Sequence, residues 1–448
     1  MKQTIKHTAL VSALMLASLA SFAAQADTKQ DSKADDSIGT ETRTVAAFSN
    51  IAISGPFRVI VTAQQGNAIE LSGLRRQFAD IETSVSGDTL TVRQPRKNKD
   101  KGWVFNFGWG KKDSKPQMTI RISAAGLKSL RNSGSGDVDL QQFQGQQLSL
   151  TSEGPGDVHA SGAVRDLTVT ASGSGDLDLR TLKAASLNLM MSGPGDVTAG
   201  GMTQDVNLTV SGSGDLDLGD LHANKVNASM HGPGSVSLHG TTKEIRAEIA
   251  GSGDLEACSL NTEAASAMLH GPGEACLAGV IKKFEAEVHG SGDLTVRGLQ
   301  APSARALLSG PGNMNLSGSV GVLSAEVSGS GDLEGQALQV ARAVTRSRGP
   351  GNIILSKVSD ALDAELSGSG DLSATAACKN VKLNMHGPGE VKLEGKTDTL
   401  VAQLSGSGSL HARQLWTSQA DVKVSGPGNA VVNVADKAVT YDRKGRSQ

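Results

Sequence analysis

A polar residue recurs at one fixed place along most of this chain. Asp137, Asp157, Asp176, Asp196, Asp215, Asp254, Asp293, Asp332 and Asp371 each follow a Gly-x-Gly, and Glu274, Glu390, Asn313, Asn352, Asn429, Ser235 and Ser409 fill the same place in the other copies. A column of carboxylates collects Ca²⁺ in some glycine-rich repeats. Two features weigh against that chemistry. The Ca²⁺-binding repeat is a nonapeptide, whereas the step here is 19 or 20 residues, and Asn, Ser and Glu replace Asp freely. Asp, Asn and Ser share the ability to accept a turn N–H, so the column reads as turn chemistry and no cofactor is expected. Carboxylates a few ångströms apart repel, which leaves weak Ca²⁺ dependence as the residual cation option.

The other reactive residues do not converge. His231, His270, His289 and His386 each precede a Gly-x-Gly, three of them in Gly-Pro-Gly units. That placement reads as surface positions on coils that are not neighbours, not as a metal site. Cys258, Cys276 and Cys378 are an odd count; Cys258 and Cys276 fall one repeat apart but two places out of register, so a disulfide between them stays open. A β-helical hydrolase or lyase needs one cluster of acids and a base on one face, whereas every repeat here offers nearly the same groups. No catalytic residue is assigned.

The candidate binding residues lie in the least repetitive stretch, Arg96 to Lys115. Trp103, Phe105, Phe107 and Trp109 alternate there, flanked by Lys101, Lys111 and Lys112. Aromatic side chains among cations suit a contact with glycan, lipid surface or protein; a long hairpin folded over the end of the solenoid as a plug is the preferred reading, and the two are compatible. Around Thr345 and Ser347, polar residues stand where apolar ones belong, and Arg342, Arg346 and Arg348 gather. That coil reads as a decayed repeat or a weak basic patch.

These groups are positioned by a repeat. The Gly-x-Gly corner occurs sixteen times from Gly134 to Gly428, with Ser and Pro alternating at its centre without exception. Gly134, Gly136 and Asp137 form the first corner, followed by Gly173, Gly175 and Asp176, Gly193, Pro194, Gly195 and Asp196, and Gly212, Gly214 and Asp215 as later examples. Apolar and polar residues alternate on both sides of the corner, as in Leu167, Val169 and Ala171 before it and Leu177 and Leu179 after it. Period two marks a strand with one buried face. Proline fixes φ and lacks an N–H, so Gly-Pro-Gly-Asp predicts a type II turn with a positive φ at the second glycine. Nine places after the first Gly of Ser-type units stands an apolar residue (Phe143, Leu182, Leu221, Leu260, Leu299, Leu338, Leu415). Eight places on in Pro-type units stands Gly162, Gly201, Gly240, Gly279, Gly318 or Gly395. A unit that cannot bury its own apolar face must stack. The expected fold is all-β: a parallel β-helix or solenoid of about 16 coils of 19–20 residues, each with two or three short strands. A coil of 39 residues is the alternative.

Composition agrees. Aromatics are 3% of 448 residues, glycines number 54 and the net charge is −2. That describes a thin aliphatic core and gives no bulk-charge argument for nucleic acid. In order, residues 1–26 read as a signal peptide ending Ala24-Gln25-Ala26, and 27–43 as a disordered spacer. Residues 44–130 read as an N-terminal cap and first coils carrying the hairpin 96–115, 131–434 as the repeat array and 435–448 as a polar tail. No helix is expected after residue 45. No later stretch is apolar enough to span a bilayer after signal cleavage, and no closing series of barrel strands is seen. The destination is export, to periplasm, cell surface or medium.

The strand pair Phe48-Ser49-Asn50-Ile51-Ala52-Ile53-Ser54-Gly55-Pro56-Phe57-Arg58-Val59, then Leu127-Lys128-Ser129-Leu130 leading into serial Ser-Gly-x-Gly-Asp repeats, resembles the bacterial "putative auto-transporter adhesin, head GIN domain" family over about residues 45–434. The resemblance implies a right-handed β-helix exported to the envelope and supplies no catalytic residues. The length of the array leaves one domain or two open. The function expected is a non-catalytic, adhesin-like module binding envelope glycan, envelope protein or a second copy of itself. The alternatives are a carbohydrate-active β-helix enzyme and a cation-binding envelope protein.

Overall fold

The computed structural model describes residues 37–63, 66–95 and 118–447. The signal peptide, most of the spacer and the aromatic and basic segment from Lys97 to Lys115 lie outside the described residues, and so does Arg96.

The short-coil solenoid is the fold. Sixteen corners delimit about 15 turns of parallel strand, and Gly193 sits directly on Gly173, its absent Cβ pointing at the Gly173 carbonyl. Apolar residues in register form continuous columns: Val138, Val158, Leu177, Val197 and Leu216 after the corner, Leu150, Val169, Leu189 and Leu208 before the next, all buried. A Leu or Val so enclosed contributes roughly 1.5–3 kcal/mol, and no single coil encloses it. Most coils hold one strand of 14 to 16 residues, such as Val138–Ser152 or Ser409–Val424, folded over midway. The expected two or three short strands appear only where the run breaks, at Val197–Gly200 with Asp205–Val210 and at Ala275–Ile281 with Lys283–Val288.

The stack begins one coil before the repeats do. Strands β1 (Ile38–Thr44), β2 (Asn50–Ser54), β3 (Arg58–Thr62), β4 (Ala68–Leu74), β5 (Glu82–Ser86), β6 (Thr89–Arg93), β7 (Thr119–Ser123), β8 (Ser129–Asn132) and β9 (Val138–Ser152) build this end. β2 and β3 carry β8 and β9 on one side and β6 and β7 on the other, all parallel. Gly134 stacks on Gly55 and Gly136 on the backbone of Phe57. Antiparallel strands then close the end: β5 on β6, β4 on β7, β1 on β4. The Arg43 guanidinium donates to the carbonyls of Phe78 and Ile81 at 2.9 and 2.7 Å, tying β1 across an edge that would otherwise invite pairing.

Four expectations are corrected. The last residues of the supposed spacer are β1, whose partner lies some thirty residues on and leaves no local signal. A single helical turn, Arg75–Phe78, follows β4. The polar tail is a hairpin: Lys437–Asp442 runs antiparallel on Ala430–Val434 and then pairs with Gly445–Ser447, with Val439 and Tyr441 buried. And the corner is not a type II turn, because no corner glycine has a positive φ. A Cβ on Gly154, Gly173 or Gly212 would meet the carbonyl of the glycine one coil below. Glycine is required there by close stacking.

Positive φ belongs to the opposite bend. Pro-type coils place Gly162, Gly201, Gly240, Gly279, Gly318 and Gly395 there at φ 77 to 145°. Ser-type coils bury Phe143, Leu182, Leu221, Leu260, Leu299, Leu338 and Leu415, and most hold one extra residue. That residue is left-handed at Gln142, Asp220 and Gly298. The extra residue forces a bulge, so register shifts fall at the bend, as between Ala160 and Gly162 or Leu218 and Leu221. Between Leu372–Met385 and Glu390–Leu404, both in coils of 19 residues, the register runs without a shift, although Ile353–Leu366 against Leu372–Met385, also of equal length, does shift at the bend.

Candidate functional site: the corner ladder and its flanking groove

At most corners the flanking glycines donate to the coil below, as Gly156 N–H does to Gly134 O at 3.2 Å and Gly154 N–H to Asn132 O at 3.3 Å. The central Ser or Pro stands exposed, and its N–H is not among these inter-coil bonds, which is why Pro is tolerated in every second copy. The residue after the corner has a backbone N–H still to satisfy. The side chain at the same place one coil below accepts it: Asp157 Oδ1 from Asp176 N–H at 2.9 Å, Asp196 Oδ1 from Asp215 N–H at 2.8 Å, Asn313 Oδ1 from Asp332 N–H at 3.0 Å.

Of the fifteen steps between sixteen such residues, eleven carry this bond. The four without it start from Ser235, Glu274, Glu390 and Ser409. Every Asp and Asn with a coil above it makes the bond, and no Ser or Glu does. The reach decides it: a serine hydroxyl is one atom too short for a gap of about 4.8 Å, and a glutamate has an extra torsion to fix. Turn chemistry was the expectation; the acceptor serves the next coil rather than its own turn. Gly134, Gly136, Asp137, Gly173, Gly175, Asp176, Gly193, Pro194, Gly195, Asp196, Gly212, Gly214 and Asp215 all lie on this column.

Beside the first rungs runs an open groove of about 490 Å³, lined by Arg58, Asp139, His159, Asp178 and Arg180 next to the ladder residues. The charges of these five side chains are paired. Arg180 Nε and Nη2 donate to the two oxygens of Asp178 at 2.9 and 2.7 Å, His159 Nδ1 lies 3.6 Å from Asp178 and Arg58 lies 4.0 Å from Asp139. The Arg180 hydrogen bonds hold the Asp178 carboxyl down at about 2. A carboxyl ionised at neutral pH has no proton to give as a general acid. Among the described residues no three His, Cys, Asp or Glu side chains are grouped to hold a metal ion.

The histidines are exposed, and the three in Pro-type units, His231, His270 and His386, lie on coils that are not neighbours, while His289 stands in the Ser-type unit next to that of His270. His270 and His289 stack face to face, ring centroids 5.2 Å apart, because a Pro-type and a Ser-type corner are always adjacent. His289 and His386 contact Ser309 and Ser405 of the next coil at 2.5 and 2.7 Å. Cys258 and Cys276 are joined, with Cα atoms 5.2 Å apart, inside the usual span of a disulfide. Cys378 is buried near Thr397 Oγ1 at 3.9 Å, and desolvation raises its thiol above the ordinary range. It holds the place in its coil that buried Thr242, Thr262, Thr397 and Thr417 hold in theirs; each of these donates to the carbonyl two residues on at 2.8 to 3.2 Å, and the Cys378 Sγ–H does the same to Asn380 O at 3.5 Å. The arginines near 345 are no free patch: Arg342, Arg346 and Arg348 meet Asp360, Glu365 and Glu326 at 3.1, 3.6 and 2.6 Å. Thr345 and Ser347 are buried there without hydroxyl partners, an uncompensated cost.

The candidate binding residues Lys101, Trp103, Phe105, Phe107, Trp109, Lys111 and Lys112 lie outside the described residues. Among the described residues no helix is long and apolar enough to cross a membrane.

No curated protein matches the chain. Among solved structures it is similar to a putative adhesin from Parabacteroides distasonis, at 16% identity over 76% of this chain and 98% of that one with a TM-score of 0.30. A putative adhesin from Bacteroides fragilis gives 16%, the same coverage and 0.20. A putative lipid binding protein from Parabacteroides distasonis gives 16%, with 75% and 96% covered, and 0.29. The family described as "Putative auto-transporter adhesin, head GIN domain" matches four overlapping stretches, residues 47–257, 201–299, 278–375 and 359–445. With nearly the whole stack so matched, the chain belongs to that family.

Proposed function

We propose that the protein is an exported, non-catalytic, adhesin-like module of the bacterial envelope, using the solenoid as a rigid support for many weak contacts that add through multivalency. One observation carries this reading: the polar residue repeated after every corner joins coils at eleven of fifteen steps, and the repeated polar groups do not converge on a reacting centre. Family membership supports it. A bound cation is no part of the reading, and chelation tests it. The partner class is an envelope glycan or protein. The segment with Trp103, Phe105, Phe107 and Trp109 is proposed as a further contact, and its deletion with the fold kept would reduce binding.

Cosedimentation of the mature protein, residues 27–448, with envelope fractions tests the reading, and binding that survives chelation is the expected result. Release of new reducing ends from a polysaccharide, abolished by changing one acid, would overturn it. Export is tested by fractionating cells that express the chain with and without residues 1–26; equal retention in the cytoplasm would remove that part.

A further inference from the structure

One face of the rod changes character along its length. Two outward columns run beside each other on the strand that leads into the corner. Over five coils they hold Ser149, Thr168, Asn188, Asn207 and Asn227 in one and Thr151, Thr170, Met190, Thr209 and Ser229 in the other, in register from coil to coil without a shift. None of the ten carries a charge. At the next coil the same columns turn to Arg246 and Glu248. Beyond, they carry ions that neutralise one another between coils, Glu285 with Arg305 at 3.3 Å, Arg346 with Glu365 and Lys382 with Asp363 both at 3.6 Å.

The uncharged stretch is a flat grid of hydroxyls and carboxamides, spaced about 4.8 Å along the rod and about 6.6 Å along the strand. These side chains are short, so ordering them on a ligand costs little entropy. Among the described residues the only side-chain bond within the grid is Asn227 Nδ2 donating to Asn207 Oδ1 at 2.7 Å. Met190, 54% exposed, puts one apolar surface in the middle. Donors, acceptors and a small apolar spot without charge fit a neutral polymer whose own faces alternate hydroxyl and C–H. They give no charge complementarity to an acidic polymer, a basic peptide or a phosphate.

We propose that this face binds a neutral glycan chain bearing hydroxyl or acetamido groups and lying along the rod axis. The proposal rests on the adhesin-like reading and gives it a site and a ligand class. The test is cosedimentation of the mature protein with insoluble chitin and with cellulose, alginate serving as the charged counterpart. Binding to a neutral polysaccharide is expected to persist as NaCl rises from about 0.1 to about 1 M. Asn207→Glu with Thr209→Glu is expected to weaken it about tenfold or more. Ser266→Glu with Ser324→Glu, both on the first of these columns farther along, is expected to change it less than twofold, roughly; thermal melts confirm that both variants fold. Equal behaviour of the two variants overturns the proposal, as does binding to alginate alone, or partition into ice with no polysaccharide bound. Failure to bind either neutral polysaccharide also overturns it, while cosedimentation with envelope fractions still decides the wider reading separately.

Discussion

The glycine corner and the bend opposite it reverse the same chain in two different ways. At the corner, backbone lies on backbone. At most corners the flanking glycines donate to the coil below, the ladder adds a side-chain bond at eleven of fifteen steps, and the strand partners on either side keep their register. At the bend, coils of unequal length meet. Register shifts and the left-handed residues of the repeat array fall there, next to the Cys258 end of the Cys258–Cys276 bridge, and so do open grooves of about 350 and 510 Å³ lined by residues such as Lys183, His222 and Lys243. The contrast teaches where each property resides. The corner sets the spacing of the rod, and the bend absorbs differences in length. Each coil touches only its neighbours, so a defect stays local in position but removes a link from a linear chain.

The widest gap between the two regions is expected from two glycines of one coil. In Gly212→Ala the new methyl meets the Gly193 carbonyl and the Ser192 backbone, atoms that cannot move without separating coils, and overpacking of this kind costs about 3 kcal/mol. Gly219 lies toward the bend, has no atom within 4 Å of its missing Cβ and no positive φ, so Gly219→Ala is expected to stay within about 0.5 kcal/mol. Urea midpoints of the two variants measure the difference; equal values would break the distinction. Next in size is the bridge beside the bend. Cys258→Ser with Cys276→Ser opens a loop of 18 residues of separation and should cost about 2–3 kcal/mol, and reduction of the unaltered protein should shift the midpoint as far. A much smaller shift would mean that the bend contributes little constraint even where it is covalently tied.

The ladder gives a finer pair. Asp215→Ala removes the acceptor of the Ser235 N–H, a bond of 2.9 Å, at a cost of about 1 kcal/mol. Ser235→Asn supplies a side chain long enough to reach the Asp254 N–H, which no ladder bond now serves, and should stabilise by a few tenths to about 1 kcal/mol. If Ser235→Asn is neutral and Asp215→Ala costless, the rungs are a by-product of the stacking and the corner rests on its glycines alone.

Much of this was legible from spacing. A period of 19 or 20 with glycine at fixed places specified the stacking of Gly173 and Gly193, and period two specified which residues face inward. What stayed hidden depends on what one coil does to the next. The glycines read as turn glycines because a sequence shows local torsion needs and not the carbonyl waiting one coil below. Asp and Asn looked interchangeable with Ser and Glu for the same reason: only across the gap between coils does side-chain length matter. Strand β1 and the closing hairpin were missed because each pairs antiparallel outside the repeat, and Val439 and Tyr441 are too few to show a pattern. The uncharged face passed unnoticed because Asn188, Asn207 and Asn227 are ordinary residues taken singly and become a grid only when in register.

The smallest effect expected comes from a pair formed within one coil. Asp178 and Arg180 lie two residues apart on one strand, so their bond steadies a side chain and leaves the spacing to the corner. The folded carboxyl sits at about 2, below the value of about 3.9 expected when unfolded. The pair therefore stabilises the fold above about pH 4 and loses its effect as the pH falls toward about 2. The Asp178 side chain is 35% exposed, so solvent screening reduces the contribution to a few tenths of a kcal/mol. Asp178→Asn should flatten the stability profile between about pH 4 and pH 2 while leaving the neutral-pH midpoint nearly unchanged. A loss at neutral pH as large as that of Asp215→Ala would show that the strand outside the corner also fixes the spacing, and the distinction drawn between the two regions would have to be moved inward from the corner to the strand.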